Sequence, residues 1–135
     1  MAAMTEDRNT LRRDGVDYKH PVKAATTIHA GALVALDASG WAVPASTATG
    51  LVMVGRAEAR ADNGAGANGD IAVRVRRGVF RFANSAEADL IARAEIGDTC
   101  FAVDDQTVAK TDGSESRSAA GIIRDVDAQG VWVEI

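Results

Sequence analysis

Three times along this chain an aspartate opens a short polar break between two apolar runs, which is the punctuation of a β-hairpin. The first break is Asp37-Ala38-Ser39-Gly40, between Ala32-Leu33-Val34-Ala35-Leu36 and Trp41-Ala42-Val43. Asp at the first position and Gly at the fourth predict a type I turn, and Pro44 ends the pair. Val126-Asp127-Ala128-Gln129-Gly130-Val131-Trp132-Val133 matches that pattern, including the glycine and a nearby tryptophan. Val103-Asp104-Asp105-Gln106-Thr107-Val108 carries it with Thr in place of Gly. The aspartates lie 67 and then 23 residues apart. Such unequal spacing fits recurrent hairpin chemistry and not a solenoid repeat.

Other runs extend the β reading. Ile71–Arg76 alternates with period two, with Arg77-Gly78 as its turn. Val79-Phe80-Arg81-Phe82 follows, with both rings on one face. Leu51–Val54 reads as a buried strand, and Val22–Thr27 has β-branched character. Ser85 is placed to cap a short helix over Ala86–Arg93, with acids early and Arg late as the helix dipole prefers. The fold class expected is mainly β: a small antiparallel barrel or sandwich of about nine or ten short strands with one short helix.

A length of 135 residues favours one domain. Residues 1–20 stand apart, polar and of both signs (Glu6, Asp7, Arg8, Arg12, Arg13, Asp14, Asp17, Lys19), with Leu11, Val16 and Tyr18 the sizeable apolar side chains. They are expected to form an extended arm, either frayed or ordering on a partner. Residues 21–135 are expected to form one β-rich domain. Much of the 47% hydrophobic content is alanine, and large side chains are few. The core is therefore thin, and burial is expected to continue across subunits. A net charge of −4 argues against a general nucleic-acid binder. No apolar run approaches the ~18 residues of a membrane span, and no apolar leader follows Met1. The lone cysteine, Cys100, sits in an apolar stretch and reads as a buried structural thiol suited to a reducing cytoplasm.

Motifs that carry chemistry fail on their context. Gly64-Ala65-Gly66-Ala67-Asn68-Gly69 is a literal G-x-G-x-x-G, but a dinucleotide site needs a helix after the glycines, and here a strand follows. A mobile hairpin loop is the better reading. Asp125–Gly130 starts like a calcium loop, but its closing Glu would fall beyond Ile135. His20 and His29 match no metal spacing. Phosphate-binding and nucleophile-elbow motifs are absent. No catalytic, cofactor-binding or metal-ligating residue is assigned. Arg74, Arg76 and Arg81 on alternating strands form either a solvated face or a contact surface for an acidic partner or neighbouring subunit.

The stretch Pro21–Pro44, the segment Gly55-Arg56-Ala57-Glu58, the Gly/Asn loop, Ile71–Gly78, Ile96-Gly97-Asp98 and the end Ala120–Ile135 come in an order that resembles the capsid decoration (cement) proteins of tailed bacteriophages. The resemblance covers about residues 21–135, with Gly31, Gly40, Gly121 and Gly130 at turns and Trp41 and Trp132 on hairpins. It implies a structural, non-enzymatic homotrimer on the outer capsid surface of the virion, stabilising the expanded shell by binding the major capsid protein. It also implies an arm lying along the shell. Expected capsid or subunit contacts are Arg8, Leu11, Arg12, Tyr18, Arg74, Arg76 and Arg81. The alternatives are another β-rich virion component, such as a head-fibre base or tail-associated protein, and a small trimeric enzyme or carbohydrate-binding module.

Overall fold

A computed structural model describes residues 2–135 as twelve short strands in three antiparallel sheets. The strands are β1 (Asp17–Pro21), β2 (Thr26–Ile28), β3 (Leu33–Leu36), β4 (Ala42–Pro44), β5 (Val52–Ala57), β6 (Ala61–Asn63), β7 (Ala72–Arg76), β8 (Val79–Phe82), β9 (Thr99–Ala102), β10 (Val108–Ala109), β11 (Ala119–Asp127) and β12 (Gly130–Glu134). The first sheet runs β1-β7-β5-β3-β4, the second runs β8-β12-β11-β9-β10, and β2 pairs with β6 alone. The mainly β expectation holds; the strand count and the barrel do not. Among the described residues no sheet closes. The edges of each five-stranded sheet meet at one isolated parallel bridge, Val22 to Ala42 in the first and Ala83 to Thr107 in the second.

All three aspartate turns form where the sequence places them. Asp37 accepts from the N–H groups of Ser39 and Trp41 at 2.9 and 3.0 Å. Asp104 accepts from Gln106 at 2.9 Å, and Asp127 from Gln129 at 2.8 Å. These bonds span two to four residues, which is why sequence alone reveals them.

The two five-stranded sheets are copies of one topology. Counted along the chain, each places its strands in the order first, fifth, fourth, second, third. Backbone bonds coincide as well. Gly31 N–H to Ala57 O (2.9 Å) is matched by Gly97 N–H to Ile123 O (2.8 Å), and Arg77 N–H to Val16 O (2.8 Å) by Ile135 N–H to Gly78 O (2.9 Å). The fourth strand of each sheet slips register at the same place, just before Gly55 in β5 and Gly121 in β11. A methyl group on either glycine would strike the backbone of the fifth strand, at the Arg76 or the Glu134 carbonyl. Gly121 thus lies inside a strand and not at the expected turn. The duplication leaves one trace in the sequence: the 67-residue spacing of Asp37 and Asp104 nearly equals the 66 residues between Gly31 and Gly97 and between Gly55 and Gly121.

Strand β3 joins the two units. Leu33, Val34 and Ala35 are all fully buried. Because side chains alternate across a strand, Leu33 enters the cluster built on the second sheet, with Phe82, Ile91, Cys100, Ile123, Val131 and Val133. Val34 enters the other, with Val22, Ile28, Val73 and Val75. Polar fasteners reinforce the seam. Leu33 N–H donates to Asp105 O at 2.8 Å, and the buried Ser118 hydroxyl donates to Ala48 O at 2.7 Å while accepting from Leu51 N–H at 3.0 Å.

Three further expectations are corrected. Arg77-Gly78 is no hairpin turn, because β7 pairs with β1 and β5 whereas β8 pairs with β12. The chain instead passes from one unit into the other through a bend at Gly78. The helix over Ala86–Arg93 is replaced by two 3-10 turns, Glu87–Asp89 and Arg93–Glu95. Asn84 prevents it by holding both backbone groups of the buried Ile91, accepting from its N–H at 3.0 Å and donating to its carbonyl at 2.8 Å. Ser85 caps nothing; its hydroxyl donates to Val108 O. Finally, the glycine-rich loop is a fastened crossover between β6 and β7, not a mobile hairpin loop. The buried Asn63 amide reaches the carbonyls of Val22, Lys23 and Ala67 at 2.9–3.2 Å.

Truncating the strand that joins both cores has a defined cost. Leu33→Ala is expected to lose about 2–5 kcal/mol of stability, measured by equilibrium denaturation. Gly55→Ala and Gly121→Ala, being equivalent, are expected each to cost about 1–3 kcal/mol; tolerance of either methyl in the same measurement would contradict the close approach.

Candidate functional site: the basic face of the first sheet

The first sheet presents an outer face built by cross-strand register. Arg76 of β7 lies between Asp17 of β1 and Arg56 of β5. One step along, Lys19 stands opposite Arg74, whose carbonyl accepts from the N–H of Glu58 at 2.9 Å. Residues directly opposite share a face. The face therefore gathers four cations (Lys19, Arg56, Arg74, Arg76) and two carboxylates (Asp17, Glu58) in a chain whose net charge is −4. Arg74 and Arg76 are exposed.

The imbalance extends to the whole unit. Up to Arg77 the chain has ten basic and eight acidic residues; after it, five and eleven. The halves thus carry +2 and −6.

Glu58 is the one acid tied into this face, in an ion pair with Arg56 at 2.7 Å. The hydrogen bond from Arg56, aided by the fields of Arg56, Arg76 and Arg74, holds its carboxyl below the usual range. Arg56 also lies over the Phe80 ring at 4.3 Å, where β8 begins the second unit. Arg81 of β8 lies over Trp132 at 5.7 Å, and Trp132 Nε1 donates to Asp127 at 2.8 Å.

The sequence-selected contact residues thus fall into four groups. Arg74 and Arg76 share the basic face. Arg81 belongs to the second sheet, outside the basic face, and lines one groove with Arg56. Arg8, Leu11 and Arg12 lie on the exposed arm, Leu11 being 86% exposed. Tyr18 stands opposite Val75, on the other side of β1, where it stacks on His20 at 6.1 Å. A hollow of about 430 Å³ at the sheet edge still brings Tyr18 near Arg13, Lys19 and Arg74. Sequence reading missed Arg56 and Lys19, because only the register of three strands shows that they flank Arg76 and Arg74.

The remaining candidate groups have structural places. Burial pushes the Cys100 thiol up to about 12, far from a reactive thiolate. Asp125–Gly130 is the β11–β12 hairpin. Among the described residues no three His, Cys, Asp or Glu side chains converge as a metal site.

Comparison with known families matches residues 2–76 to the model of the phage cement protein family. The chain belongs to that family. No curated protein and no solved structure matches it. The match ends on the last residue of β7, so it takes in the arm, the whole first unit and the basic face, and it leaves the second sheet outside. The arm, which carries none of the motifs behind the resemblance, lies within the matched region.

A carboxylate whose folded pKa is depressed contributes stability above its unfolded pKa and loses it as pH falls through the folded value. Glu58 is therefore expected to titrate below the ~4.3 of a free glutamate. Carboxyl NMR titration checks this, and Arg56→Gln is expected to return the midpoint toward that value.

Proposed function

We propose that this chain is a head-surface cement protein that seats as a trimer on the outside of the phage shell and stabilises it. In this reading the outer face of the first sheet meets an acidic patch of the major capsid protein. The observation that carries it is a basic face inside the family-matched part of an acidic chain. A cement protein needs many modest contacts repeated over a lattice, where avidity multiplies weak affinities. An arginine-rich sheet face supplies them: it is rigid, steers encounter, and places forked donors against carboxylates. The thin core, divided into two small clusters, suits a protein that completes its burial on a partner. Localisation on the virion, after synthesis in the reducing host cytoplasm, agrees with a buried free thiol.

The test mixes purified protein with expanded heads that lack it, then follows co-sedimentation and the thermal transition of the heads. Binding is expected to raise that transition and to weaken as salt screens the face. Arg74→Glu with Arg76→Glu is expected to weaken binding at least ~10-fold, about 1.4 kcal/mol. A double variant that binds as tightly as the parent would remove the basic face from the reading. Protein found on tails and not on heads would replace the reading with a tail-associated role.

A further inference from the structure

Strand β8 has an open edge. Its hydrogen-bonded partners on β12 are set by Ile135 N–H to Gly78 O, so Phe80 and Phe82 bond inward while Val79 and Arg81 turn their N–H and C=O groups away. Among the described residues nothing bonds to those four groups. The equivalent edge of the first sheet is blunted: β1 turns out Asp17, Lys19 and Pro21, and charges and proline deter strand addition. Strand β8 has no such proline, and Val79 is 43% exposed.

The chain's own arm does not cover this edge. Continuing the β1–β7 register backwards would set Asp14 beside Val79 and Arg12 beside Arg81. Gly15, at φ +80°, turns the arm aside instead. In-register pairing would also put the like charges of Arg12 and Arg81 opposite each other. The arm is exposed from residue 2 to residue 14, and its one internal backbone bond runs from Thr10 N–H to Arg8 O.

A groove of about 440 Å³ runs beside the edge, lined by Gly31, Arg56, Val79, Phe80, Arg81 and Trp132. Both guanidinium groups rest on aromatic rings, and beyond the Arg56–Glu58 pair each keeps N–H donors for a further carboxylate, so the groove fits an extended segment with carboxylates beside an apolar side chain. The tip of the arm, Met4-Thr5-Glu6-Asp7, has that chemistry. Extended, the ten or so residues between this tip and β1 reach roughly 30 Å, enough to cross to a neighbouring molecule.

We propose that the arm of a second copy adds to β8 as a further strand of the second sheet, its Glu6 and Asp7 against Arg56 and Arg81. The contact is heterologous, so it closes into a ring when the rotation between copies is a whole fraction of a turn. It rests on the trimeric cement reading and supplies the link that joins the copies.

The test titrates an unlabelled peptide of residues 2–14 into the isotope-labelled full chain. The amide signals of Val79 and Arg81 are expected to shift saturably, and their exchange with solvent to slow at least 10-fold. Val79→Pro keeps every β8–β12 bond and is expected to abolish the response at Arg81. A peptide carrying Glu6→Lys and Asp7→Lys is expected to bind at least 10-fold more weakly, with no change to the chain itself. A peptide that leaves both amides unmoved, or moves Lys19, Arg74 and Arg76 instead, overturns the inference. If it fails while the chain still co-sediments with heads, strand addition falls and the cement reading stands. If the amides respond and heads are not bound, the reverse holds.

Discussion

The structure depends on a strand that has no exposed side before its last residue. Leu33 and Val34 are neighbours in sequence, yet each belongs to a different hydrophobic cluster. A strand that buries both faces cannot slip by one residue without exchanging its entire contents between the two cores. Its register therefore fixes both units at once. The bond from Leu33 N–H to Asp105 O adds a backbone tie across the same seam. With alanine abundant and large side chains few, neither cluster has a wide margin, and sharing one central strand lets each support the other.

What could be read from the sequence was what is local. An aspartate and the amides it accepts from lie within four residues, so all three hairpin turns were visible. So was the alternation that puts Arg74 and Arg76 outward and Val73 and Val75 inward. The duplication was hidden because, apart from a few turn and bulge residues, equivalent strand positions share a place in the register and not a residue type: Val34 corresponds to Cys100, and Ala35 to Phe101. The expected helix had suitable charges at both ends, but Asn84 holds Ile91 seven residues on, and a tertiary contact of that kind leaves no periodic mark. The basic face was half legible. Its β7 residues follow from alternation, whereas Arg56 and Lys19 arrive through pairings with strands distant in sequence.

The family match stops at Arg76, where the first unit stops, and the +2 and −6 parts of the chain divide one residue later, after Arg77. The boundary is thus topological, electrostatic and familial together. The matched unit carries the basic face and the arm, and the rest carries most of the negative charge. A net charge of −4 makes copies of the chain repel one another and resists indiscriminate association.

One consequence lies in the segment from Ala72 to Phe82, two strands joined through a bend at Gly78. It belongs to both sheets without a turn between them, paired first with β1 and β5 and then with β12. Tension applied to the first unit passes into the second along covalent backbone. It need not travel through side-chain contacts that could slide. The ladders on either side would then be loaded in shear, with several hydrogen bonds sharing the force, whereas a hairpin junction would open one bond at a time.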